Sequence, residues 1–153
     1  MTIDEMLDAG EEQARRVLIG TKEALLPMFH VELNNGDGIV VGTPWANEEE
    51  KYATVDAIKH AIKNGGVKRY SFVAEAWMST APKTWKPGQG RPLDPPSQQP
   101  NRVECVIITA CERERQECRF LEIKRGPGGR CADLIRQDDM QGEMGGALFN
   151  LFK

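Results

Sequence analysis

Apolar residues at Ile3, Met6, Leu7, Ala14, Val17 and Leu18 recur at the three- and four-residue spacing of a helix with one buried face. Thr2 and Glu5 frame its start as a capping box, in which hydroxyl and carboxylate satisfy amides that the first turn leaves without partners. Gly10 falls mid-pattern, where glycine weakens a helix, and Pro27 sets the outer limit of helical structure. From Met28 the period changes to two. Phe29, Val31 and Leu33 alternate with Met28, His30 and Glu32, and Asn34-Asn35-Gly36-Asp37-Gly38 supplies a turn before Ile39-Val40-Val41 resumes extended structure, so the pattern predicts a β-hairpin.

A second helix follows. Asn47 and Glu50 have capping-box spacing, Tyr52, Val55, Ile58 and Ile62 form an apolar stripe, and Asn64-Gly65-Gly66 provides a C-cap. "VKRYSFVAEAWM" reads as a long strand, with Tyr70, Phe72, Ala74 and Ala76 on one face and Arg69, Ser71, Val73, Glu75 and Trp77 on the other. "RVECVIITA" is apolar on both faces, as in a central strand; "CRFLEIKR" and "RCADLIRQ" add two more, with "CERERQE" and "RGPGG" as connections. The order predicts an α+β domain over residues 1–153, with a mostly antiparallel or mixed sheet of five to six strands and both main helices packed on one face. Too few crossover helices are present for a doubly wound parallel sheet.

Composition narrows the class. With 153 residues, 40% apolar and 28% charged, the chain fits a globular domain able to bury a core. No apolar run nears the ~20 residues that cross a bilayer. The acidic, amphipathic start "MTIDEMLDAGEEQARR" is unlike a signal or transit peptide. Cys105, Cys111, Cys118 and Cys131 show no C-x-x-C spacing, which predicts reduced thiols and a cytoplasmic location. The net charge of −3 is unevenly spread: residues 1–64 carry 6 basic and 12 acidic side chains, residues 65–130 carry 12 and 7. That split suits either a basic binding face or two halves that pair with each other.

Candidate chemistry is sparse. His30 and His60 lack a histidine at i+2 or i+4 that would complete a zinc pair, and no nucleophile elbow, Walker loop or strand-linked G-x-G-x-x-G is present, so neither metal nor cofactor is expected. Cys111 is the best-placed nucleophile, at a strand end beside Arg113 and Arg115, although Glu112 and Glu114 offset that field. Glu75, Glu104, Asp133, Asp138 and Asp139 are carboxylates at no fixed separation. The loop Lys124-Arg125-Gly126-Pro127-Gly128-Gly129-Arg130, joined by Arg113, Arg115 and Arg119, can offer amides and cations to a nucleotide or other phosphate, with hydrolysis as an extension; its alternative is a solvated turn. Arg69, Arg119 and Lys124 could extend a basic face, but it lacks the aromatic interleaving of nucleic-acid platforms.

Six of the nine prolines fall between Pro82 and Pro100. Two dozen residues without regular structure are rare in a compact domain, and proline lowers the entropy of ordering them. This predicts an ordered arm at 79–102 presenting Trp77, Trp85, Arg91 and Pro95, with Glu75 and Arg102 able to close its ends. The tail at 142–153 places Leu148, Phe149, Leu151 and Phe152 behind a Gly-rich linker. Pro27, the "NGDG" turn, "FVAEAW", the proline-bearing gap, "RVE" and "GGALFNLF" together resemble a set of small bacterial and prophage-borne proteins. That set carries no established activity, so the resemblance implies a bacterial or phage accessory protein and no catalytic residue. The leading expectation is a non-enzymatic binding protein, self-associating through arm and tail; the others are phosphate-ligand binding and a phage-encoded inhibitor of a host factor.

Overall fold

The structure, a computed structural model, describes residues 2–42, 48–78 and 103–137, with backbone alone at 41, 42, 48, 77 and 78. Its elements in chain order are α1 (Ile3–Leu18), β1 (Met28–Leu33), β2 (Gly38–Gly42), α2 (Glu48–Lys63), β3 (Val67–Met78), β4 (Val103–Glu112), β5 (Gln116–Arg125) and β6 (Cys131–Arg136). The six strands form one sheet in the order β2-β1-β3-β4-β5-β6, every neighbouring pair antiparallel.

Local chemistry sets the element ends. The Thr2 hydroxyl accepts from Glu5 N and the Glu5 carboxylate from Thr2 N, completing the capping box of α1. At its other end the Thr21 hydroxyl donates to the carbonyls of Val17 and Leu18, and Gly20 and Thr21 bond to Cys131, stitching α1 to β6. In the β1–β2 turn Leu33 N donates to Asp37 O, and Gly36 takes φ +91°, a conformation that glycine adopts without strain. The α2 cap, Asn64-Gly65-Gly66, is tied back to that turn: Asn34 N donates to Gly66 O and Asn34 Nδ2 to Gly65 O. The expected cap at Asn47 lies outside the described residues.

The helices lie on opposite faces of the sheet, which corrects the expectation that they share one. Val73, Val106, Ile108, Ala110, Leu121, Ile123 and Leu134 bury against Ile3, Met6, Leu7, Ala14 and Leu18 of α1. Phe29, Val31, Tyr70, Phe72 and Cys111 bury against Val55, Ile58 and Ile62 of α2. Phe72 and Val73 are consecutive on β3, so alternation sends them to opposite sides. The reason is compositional: β4 is apolar on both faces, and β3 adds Val73 to one and Tyr70 and Phe72 to the other, so each face of the sheet needs a helix.

Candidate functional site

An apolar cleft of about 450 Å³ opens where α2 meets the β1–β2 hairpin. Val31, Leu33, Ile39 and Val67 line its sheet side, and Ala53, Thr54, Ala57, Ile58 and Ala61 its helix side. Ala53, Ala57 and Ala61 recur every fourth residue, so the flank of α2 toward the hairpin is built largely of methyl groups and leaves the space beside it unfilled. The Thr54 hydroxyl donates to the Glu50 carbonyl. The wall is thereby almost wholly apolar. The Asn34 bonds to Gly65 and Gly66 fix one end of this arrangement.

Three large apolar side chains of the hairpin and α2 stand in solvent. Ile39 is 46% and Val40 59% exposed on β2, and Tyr52 is 52% exposed on α2. Tyr52 departs from its expected place in the buried stripe, because it lies roughly 90° around the helix from the centre of Val55, Ile58 and Ile62. The cleft itself was not legible in the sequence; its available signal is the Ala53/Ala57/Ala61 stripe beside an uncharged strand.

The cations singled out from the sequence are distributed among carboxylates. Arg119 Nη1 contacts Asp8 Oδ1 at 2.8 Å and Glu11 Oε1 at 3.4 Å, holding α1 to β5. Arg115 pairs with Glu117 at 3.2 Å and Asp4 at 3.6 Å, and Arg113 is exposed in the β4–β5 turn. Lys124 pairs with Glu122 at 3.1 Å and Arg125 with Glu104 at 2.8 Å, while Arg130 donates to Gly20 O. Glu104, through its hydrogen bond, and the surrounding carboxylates hold the Arg125 guanidinium even more firmly protonated. The loop forms a 3-10 turn at Pro127–Gly129; Gly126 N donates to Arg130 O and Gly129 N to Gly126 O, with Gly128 and Gly129 at positive φ. Lys124 and Arg125 therefore close β5 and Arg130 follows the turn, whereas Arg119 is turned to α1. Trp77 sits in β3 opposite Glu104, and Trp85, Arg91, Pro95, Arg102, Asp138, Asp139, Leu148, Phe149, Leu151 and Phe152 lie outside the described residues. Glu75 accepts a hydrogen bond from Leu25 N at 2.9 Å.

Three of the four thiols are held in the protonated form. Burial, with Glu122 nearby, pushes Cys105 up to about 12, and burial also raises Cys118 and Cys131. Cys111 is buried with its sulfur 3.4 Å from Gln116 Oε1. On the α1 face, Arg69 is only 7% exposed; it holds Glu32 at 2.6 Å and Glu112 at 3.8 Å, while among the described residues its Nε and the Nε2 of the partly buried His30 have no hydrogen-bond partner. Among the described residues, no group of three or more His, Cys, Asp and Glu side chains is arranged to hold a metal ion, and no helix is long and apolar enough to cross a membrane. No protein-family model, curated protein or solved structure matches the chain.

Proposed function

We propose that this is a non-enzymatic binding and assembly protein whose receptor surface is the apolar cleft between α2 and the β1–β2 hairpin. The observation that carries this reading is the lining: among the described residues, nine surround about 450 Å³ and none of them is charged. Such a cleft favours apolar side chains of a polypeptide, since burying each large one is worth roughly 1.5–3 kcal/mol and no lining charge has to be desolvated. The chain contains a sequence of the right chemistry in Leu148, Phe149, Leu151 and Phe152, behind a glycine-bearing linker. The Pro-rich arm at 79–102 is a second contact surface on this reading.

The test uses protein truncated after Gly146 and a synthetic peptide of residues 147–153, followed by fluorescence anisotropy. Saturable binding that is lost in Ala57→Arg, with the fold intact by circular dichroism, supports the cleft as receptor. Equal binding to the Ala57→Arg protein, or none to either, removes it.

A further inference from the structure

We propose that β2 pairs with β2 of a second copy, antiparallel and centred on Val40, so that two sheets join into one across a two-fold axis. This rests on the assembly reading above and names its partner as the chain itself.

Among the described residues β2 ends the sheet, with β1 its only neighbour. Alternate residues of an edge strand turn amide and carbonyl outward, and proteins that stay monomeric guard such edges with charge, proline or a bulge. Gly38-Ile39-Val40-Val41-Gly42 has neither charge nor proline, and its pairing with β1 runs without irregularity. The opposite edge differs in charge and in regularity: β6 carries Asp133 and Arg136, which pair with Arg15 and Glu11, and its pairing with β5 is bulged. Ile39 and Val40 are both largely exposed although neighbours on a strand face opposite sides, so this edge is apolar on both faces.

What selects a second copy over a foreign strand is the symmetry of the segment. Its order is glycine, β-branched, valine, β-branched, glycine. Turned end for end about Val40, it sets Ile39 opposite Val41 of the partner subunit and Gly38 opposite Gly42 of the partner subunit. The three inner pairs then join β-branched with β-branched, the kind of pair that stabilises a sheet. Glycine at both ends leaves no side chain to clash where the strands enter the pair. Five residues of strand bury little area beside what a stable dimer needs. The added apolar surface comes from beside the strand, where Ile39 lies on the cleft.

The full-length chain is examined by native mass spectrometry and sedimentation at micromolar concentration, alongside Val40→Lys, Val40→Cys and Ile39→Cys. The expected result is a dimer that Val40→Lys converts to monomer with an unchanged circular dichroism spectrum. Mild oxidation then cross-links Val40→Cys, whose substituted position faces its own copy, far more than Ile39→Cys, which faces position 41. A dimer that survives Val40→Lys, or equal cross-linking at both positions, overturns the β2 pairing and leaves the assembly reading standing. A parent chain that is monomeric throughout overturns the self-association on which both rest, while peptide binding to the cleft is judged separately.

Discussion

Gly10 shows how a residue's reason can be invisible in one dimension. In the middle of a helix it costs about 1 kcal/mol relative to alanine, and nothing in the neighbouring sequence explains it. In three dimensions a Cβ there would stand 2.8 Å from Ile108 Cγ2 and 3.1 Å from Val73 Cγ2, both on β-branched side chains that cannot swing away. Gly10→Ala is expected to lower stability by about 1 kcal/mol net, overpacking of roughly 2 kcal/mol exceeding the propensity gain, and to lower Tm in a thermal melt by about 3 °C. A rise in Tm would show that α1 lifts without penalty. Arg69 is the complementary case, a buried cation whose need for Glu32 appears only when β1 and β3 pair, setting the two directly opposite. Arg69→Met is expected to cost about 2 kcal/mol in urea unfolding, because the partly buried Glu32 loses that partner, and adding Glu32→Gln should recover part of it. The absence of any recovery would show that Arg69 acts through packing alone.

At the scale of elements, α1 is held by a hub of charge as well as by its apolar stripe. Glu11 contacts Arg15 at 3.2 Å, Arg119 at 3.4 Å and Arg136 at 2.8 Å, and so joins the helix to β5 and β6. Glu11 is expected to matter more than an ordinary surface acid because its side chain is only 15% exposed. Glu11→Ala should cost about 2 kcal/mol, measured by urea unfolding in low salt, whereas Glu12→Ala, in an exposed pair with Arg16, should change little. Equal effects would reduce the hub to surface charge. The sequence showed the halves of opposite charge from which these pairs come, and left open whether they faced a ligand or each other. The contacts of Arg115 and Arg119 with α1 settle that for those two residues.

For the whole molecule the linked quantity is acid stability. Burial lowers the His30 imidazole below its ordinary 6.5. The unfolded chain therefore takes up that proton first, and stability declines as pH falls below about 6.5. Burial raises the Glu11 and Glu32 carboxyls, but the hydrogen bonds and charges of Arg136 and Arg15 on Glu11, and of Arg69 on Glu32, outweigh it and hold both below 4.5. Their stabilisation is complete above about 4.5 and is lost as pH falls through the lower folded values. Chemical unfolding across pH 3–8 should therefore show two descending steps, and His30→Gln should remove the upper one alone. A curve flat from pH 8 to 5 in the parent chain would refute the part assigned to His30.

By itself, the sequence determined what depends on near neighbours: the Thr2–Glu5 cap, the turn at Asn34–Asp37, the glycine stop at Gly65, the alternation of β3 and the two apolar faces of β4. These are set by backbone conformation and period, which act over a few residues. Only the tertiary structure decided which side of the sheet each helix takes, which carboxylate each arginine meets, and that three alanines of α2 face a hairpin across an unfilled space. Those outcomes depend on residues tens of positions apart. The cation that meets Asp8 comes from position 119, and no local period encodes that distance.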